Sequence, residues 1–149
     1  MLEIQAITRQ HRLWSETISF AENCSWRAGA YLAELMRQNE FADWERVFVA
    51  RDDERVVAYC TFTAKDELAE KYEFSPFIGF MFVDESYRGK RISGMLIKTA
   101  CAYASALGYE KVYIMSDEQG LYEKYGFQKL GEYETIYGSR EQLFVRNTK

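Results

Sequence analysis

Histidine, proline and cysteine are scarce in this sequence, and each scarcity closes a class of function. The single histidine, His11, falls in a polar stretch near the N-terminus. Cys24, Cys60 and Cys101 are scattered and odd in number, with no C-x-x-C pair. A disulfide framework, a zinc site and a Cys-His nucleophile are therefore not indicated, and no metal is expected. Cys60 lies in a strand pattern and Cys101 in a helical one, where a thiol behaves as a small hydrophobe. The one proline, Pro76, cannot donate to a sheet ladder, so it should mark where a strand begins. No apolar run is long enough to span a bilayer, and Met1 to Gln5 lacks the basic and apolar regions of a secretory leader. A cytoplasmic protein with no membrane partner is the expectation. The net charge of −4 argues against a nucleic-acid partner.

What is present suits one globular domain over residues 1–149. Charged residues make up 28% and apolar plus aromatic residues 48%, which is enough to bury a core. The aromatics favour a sheet-containing architecture. Leu2 to Thr8 alternates as a strand. Gln10–Asn23 carries Leu13, Trp14, Ile18 and Ala21 at helical spacing, and Tyr31–Asn39 reads as a second helix. The break at Cys24–Gly29 is expected to expose Trp26. Glu16, Glu22 and Glu34 lie on this helical pair, either as a solvated face or as a surface attracting a cation. Trp44–Arg51 and Arg55–Ala64 flank the polar tip Asp52-Asp53-Glu54 and predict a hairpin. Lys65–Phe74 reads as a loop. Gly79, inside the next strand, predicts a bulge or a close approach to the backbone.

The central stretch is Phe80 to Gly94. An apolar run ending at Val83 gives way to a basic turn, and Ile92, Met95, Leu96, Thr99 and Tyr103 then take helical spacing. A strand that enters a helix through such a turn points free backbone N–H groups and the positive end of the helix dipole into one small volume, which suits an anion such as phosphate. Arg88, Lys90 and Arg91 place positive charge there on an otherwise acidic chain. Leu107-Gly108-Tyr109 ends the helix on a glycine, and Lys111–Ser116 follows as a short buried strand. That order reads as a right-handed βαβ crossover and a parallel pair. A short helix is predicted to open at Ser116-Asp117-Glu118 and to close at Gly126. Gly131–Ile136 and Gln142–Arg146 then form two strands around Tyr137-Gly138-Ser139.

Val83-x-x-x-Tyr87-Arg88-Gly89-Lys90-x-Ile92 resembles the pyrophosphate loop of the acetyl-CoA-dependent N-acetyltransferases, the GNAT superfamily. Leu121-Tyr122-Glu123-Lys124-Tyr125-Gly126-Phe127 resembles that superfamily's second signature, and Leu107-Gly108-Tyr109-x-Lys111-Val112 its helix-to-strand connection. The usual loop reads Gln/Arg-x-x-Gly-x-Gly/Ala. Arg88 matches it, whereas Arg91 and Ser93 stand in the two glycine slots. The resemblance implies an α+β (mixed α/β) GNAT fold: a mostly antiparallel central sheet with one parallel βαβ pair and helices on both faces.

The function so implied is acetyl transfer from acetyl-CoA to a primary amine by direct attack. Pantetheine would run along Met81, Phe82 and Val83. The diphosphate would lie on the amides of Gly89, Lys90, Arg91, Ile92, Ser93 and Gly94, with Arg88 and Lys90 behind it. A main-chain N–H near Gly79 to Phe82 would hold the oxyanion, and Tyr122 would protonate the departing thiolate. The acceptor would be a small-molecule or peptide amine, and homodimerisation is left open. The alternative is a catalytically silent GNAT-fold module that binds an acyl-CoA or a protein partner. Base identity is left open: the strand position used for a glutamate in some relatives is Phe77 here, and Glu73 falls in the preceding loop. Arg91, at a helix start, is expected to have negative φ, with its side chain turned outward or onto a CoA phosphate.

Overall fold

The computed structural model describes residues 1–149. The elements run β1 (Leu2–Ile7), α1 (Trp14–Asn23), α2 (Ala28–Arg37), β2 (Arg46–Asp52), β3 (Arg55–Thr63), β4 (Phe77–Val83), α3 (Ile92–Ala106), β5 (Lys111–Ser116), β6 (Gln128–Glu134) and β7 (Arg140–Asn147). Single-turn 3₁₀ segments occupy Glu85–Tyr87 and Tyr122–Tyr125. The sheet order is β1-β2-β3-β4-β5-β7-β6. Its one parallel pair joins β4 and β5, with Phe77 opposite Tyr113, so the fold is α+β with a mostly antiparallel sheet. No helix is long and apolar enough to cross a membrane. Two compact units are distinguished: residues 1–62 with 80–96, and residues 63–79 with 97–149.

In the first unit, β1, β2 and most of β3 form an antiparallel meander. Asp52 opposes Arg55 across the hairpin tip, and Asp53 takes the left-handed conformation that the tight turn needs. Val47, Val49 and Tyr59 project to one face and pack with Leu32, Ala33 and Met36 of α2 and with Leu13, Trp14 and Ala21 of α1 and the turn before it. The alternate residues Phe48, Ala50 and Cys60 are equally buried, so both faces of these strands are covered. Gly29 is required for a spatial reason. A Cβ there would lie 2.2 Å from the Ala21 carbonyl oxygen and 2.6 Å from Cys24 Sγ.

The helical pair departs from its sequence pattern in three ways. First, α1 begins at Trp14 rather than Gln10, because residues 8–13 are used in a turn: His11 N–H donates to the Thr8 carbonyl, and Leu13 N–H donates to His11 Nδ1. Second, α2 starts before Tyr31 and ends at Arg37, with Asn39 in the left-handed region. Third, Trp26 is half-buried rather than exposed. It lies parallel to Phe82 at 6.1 Å between centroids and also meets Tyr59 and Phe80. That partial burial takes much of the ring's apolar surface out of water.

In the second unit, β5, β7 and β6 form an antiparallel ladder, with Met115 opposite Leu143 and Glu132 opposite Gln142. β6 starts at Gln128, before the predicted Gly131, and carries a bulge between Lys129 and Gly131. Leu68, Phe77, Met115 and Leu143 are buried together, and Tyr72, Phe74, Tyr113 and Tyr133 pack around them. The predicted helix from Ser116 is reduced to the 3₁₀ turn at Tyr122–Tyr125, closed by Gly126 at φ +89°.

Candidate active site

The Phe80–Gly94 segment takes the strand–turn–helix form read from the sequence. Asp84 N–H donates to the Val57 carbonyl, Tyr87 N–H to the Asp84 carbonyl, and Met95 N–H closes the first helical bond on Arg91. Ile92, Ser93 and Gly94 therefore form the first turn of α3, where main-chain amides have no acceptor within the helix. Gly89 has φ +82°, and nothing lies within 4 Å of where its Cβ would be, so a ligand can approach the main chain there. Arg88, Lys90 and Arg91 are all exposed. Two of them touch neighbouring rings. Arg88 lies over Phe82 at 5.5 Å while donating to the Val83 carbonyl, and Lys90 lies over Tyr87 at 5.3 Å. The cradle therefore fits a diphosphate in charge, in amide supply and in clearance.

Arg91 corrects the sequence reading. Its φ is +62°, not negative. The residue where the family loop carries its first glycine is left-handed, and this chain places an arginine there at a cost of about 1–2 kcal/mol. The reading failed because it took Arg91 as the first helical residue, whereas it is the residue that caps the helix from outside. A similar displacement occurs at Gly79. The left-handed residue of β4 is its neighbour Phe80, at φ +47°. For an aromatic residue that conformation is strained, and such strain gathers where a main-chain group is re-aimed. Met81 and Val83 are partly buried, and Phe82 is buried on the Trp26 side.

The glutamates of the helical pair are engaged structurally. Glu16 accepts from Val56 N–H at 2.8 Å, Glu22 pairs with Arg37, and Glu34 meets both Arg37 and Gln38. The hairpin tip is also tied to the loop. Tyr87 Oη donates to Asp52 Oδ2 at 2.6 Å, and Arg55 pairs with Asp84 at 3.2 Å while its guanidinium lies over the Tyr87 ring at 5.9 Å. The Tyr87 hydroxyl, followed by the Met1 ammonium, holds the Asp52 carboxyl below its ordinary range. The Asp52–Tyr87 pair joins residues remote in sequence and gives no periodic signal.

In the second unit, Tyr122 is 6% exposed, and its ring packs at 5.9 Å from Phe127 and 6.0 Å from Phe144. Tyr125 is less buried. Glu73 lies exposed in the loop before β4, as expected from the sequence. Sequence reasoning missed a group of carboxyls. Burial, a hydrogen bond to Glu141 and the neighbouring charges of Glu141, Asp66 and Asp117 push Glu67 up to about 8. Burial pushes Asp66 up to about 6. The loop holding Asp66 and Glu67 is fixed by a bridge between Leu68 and Thr135 and by Ile136 N–H donating to the Glu67 carbonyl. Two adjacent acids in a polar loop were the only trace of this in the sequence.

Residues 43–129 match the family model described as the acetyltransferase (GNAT) domain. Among curated proteins, none matches the sequence. Solved structures with the same fold include an aminoglycoside 6'-acetyltransferase type Ii, with TM-score 0.76 and 16% identity over 99% of this chain and 97% of the other. An aminoglycoside 6'-N-acetyltransferase complexed with coenzyme A gives 0.74 and 13%, over 99% and 97%. A GNAT-family acetyltransferase from Streptococcus pneumoniae gives 0.70 and 14%, over 99% of both chains.

Proposed function

Because the chain belongs to the GNAT acetyltransferase family, we propose that it moves an acetyl group from acetyl-CoA to a primary amine. The carrying observation is the strand–turn–helix at Phe80–Gly94, with left-handed Gly89 and Arg91, open space at Gly89 and three exposed cations. In this reading the amides from Gly89 to Gly94 hold the diphosphate, with Arg88 and Lys90 adding charge, and pantetheine follows Met81, Phe82 and Val83. The amine nitrogen attacks the thioester carbon, and a main-chain N–H beside the strained Phe80 holds the oxyanion. The C–S bond then breaks, and Tyr122 gives its proton to the thiolate.

Aminoglycosides are acceptors suggested by the names of two fold relatives. The acceptor class proposed here is wider: small-molecule or peptide primary amines.

The test is thiol release from acetyl-CoA across an amine panel, with melting measured beside it. At a hundredfold excess over its dissociation constant, CoA is expected to stabilise the fold by about 2.7 kcal/mol. No melting shift at millimolar CoA would sink the reading.

A further inference from the structure

The loop that would hold the diphosphate contains a residue whose side chain disfavours its own backbone conformation. Of the two glycine slots in the family pattern, this chain fills the first with Arg91, and its backbone there is left-handed against residue preference. Gly89, two residues earlier, is also left-handed, at φ +82°. Beside the loop's own hydrogen bonds from Tyr87 N–H to the Asp84 carbonyl and from Arg88 Nε to the Val83 carbonyl, a tie comes from outside it: Tyr87 Oη donates to Asp52 Oδ2 at 2.6 Å. Asp52 sits at the end of β2, where the two-residue hairpin fixes it opposite Arg55. Arg55 in turn holds Asp84, at the other end of the same 3₁₀ turn. The hairpin thus grips the turn Glu85–Tyr87 at both of its ends, immediately before Arg88 and Gly89.

We propose that Asp52 is a positioning residue for acyl-CoA binding: acting through the Tyr87 hydroxyl, it presets the loop amides for the diphosphate. The inference rests on the acetyl-CoA reading above and adds a residue outside the loop motif. Asp52 touches no part of the ligand. Its carboxylate accepts a proton-bearing phenol from the residue that precedes the cationic turn, and a bond to a charged acceptor has the strength to bias a small loop. Preorganisation of this kind appears in affinity rather than in the chemical step.

The experiment uses the full chain, with CoA titrated by calorimetry and acetyl transfer followed at saturating amine. Tyr87→Phe keeps the ring beneath Arg55 and Lys90 and removes only the donor, and Asp52→Asn keeps the shape and removes the charge. Each is expected to raise the CoA dissociation constant and the KM for acetyl-CoA about three- to tenfold, with kcat within about twofold. The double variant is expected to be no worse than the worse of the two single variants, because Tyr87→Phe removes and Asp52→Asn weakens the same hydrogen bond. Asp53→Asn, the neighbouring carboxylate that does not meet Tyr87, leaves CoA affinity unchanged. Singles with wild-type affinity, an additive double variant, or a fall in kcat with KM unchanged would each overturn the proposal. A wild-type chain that binds no CoA would instead remove the acetyl-CoA reading and the positioning role with it.

Discussion

The two signature segments solve the same backbone problem with different residues. Each needs a left-handed residue beside a helical turn. The 121–127 segment uses Gly126, at φ +89°, and the 83–94 segment uses Arg91, at φ +62°. In the first the local sequence agrees with the backbone, and the turn closes with the amides of Gly126 and Phe127 donating to Glu123 and Tyr122. In the second the local sequence opposes it, and contacts from the hairpin add to the loop's own hydrogen bonds. A segment secured by its own residues can be altered at one side chain without losing its course. A segment secured from outside depends on partners elsewhere in the chain.

The largest expected effect sharpens this contrast at Tyr122. Tyr122→Phe keeps the ring against Phe127 and Phe144, and Gly126 still closes the turn. A positioned acid of this kind gives roughly 10²- to 10⁴-fold. Turnover is expected to fall within that range, with CoA affinity and melting temperature unchanged. Tyr125→Phe is the control and retains activity; wild-type rates in both variants would leave Tyr122 a core aromatic.

Next in size is Glu67. Its carboxyl, ordinarily near 4.5, is pushed up to about 8, so the folded chain holds this proton more tightly than the unfolded one. The stabilisation from that proton is complete below about 4.5 and is lost as pH rises through about 8. Glu67→Gln mimics the protonated state. Its melting temperature should equal wild type at pH 4 and exceed it by a few degrees at pH 9. A variant no more stable than wild type at pH 9 would show that burial does not raise this carboxyl.

The smallest effects test the contrast directly. At Gly126 a Cβ would meet Arg146 Nε at 3.6 Å, an ordinary contact, so Gly126→Ala is charged only for its backbone: about 1 kcal/mol lost in thermal or denaturant unfolding. Arg91→Gly should move the other way, gaining a few tenths of a kcal/mol after the entropy of the freer unfolded chain is subtracted. If Arg91→Gly destabilises instead, the arginine side chain contributes to the loop and the strain argument fails there.

Legibility followed the range of the determining interaction. The β2–β3 hairpin could be read because Asp52-Asp53-Glu54 sits between two β-prone runs, and α3 because Ile92 to Ala106 keeps its period until Gly108. Both are local facts. The start of α1 was misread because His11 and Thr8 bind the chain in a turn that apolar spacing does not record. Trp26 was misplaced because its partners, Tyr59, Phe80 and Phe82, come from strands far along the chain. The site divided in the same way. The cationic loop was visible as a run of residues, whereas the approach of Glu67 to Glu141 and of Tyr87 to Asp52 depends on sheet order, which no single stretch encodes. Arg91 failed for a subtler reason: one position in the placement of a helix start changes the sign of φ.

The last strand in sheet order, β6, pairs with β7 on one side, and at its end the loop at residues 67–69 meets it, with Ala69 N–H donating to the Glu134 carbonyl. The rest of its outer flank offers amides and carbonyls to an extended chain, the geometry from which fibrils grow. The bulge at Lys129/Gly131 interrupts that flank, and Lys129, Glu132 and Glu134 line it with charge of both signs. An incoming strand would find its register broken after a few residues and its side chains beside ions in need of water. The same irregularity that shifts the pairing with β7 by one residue makes this edge a poorer template for a further strand.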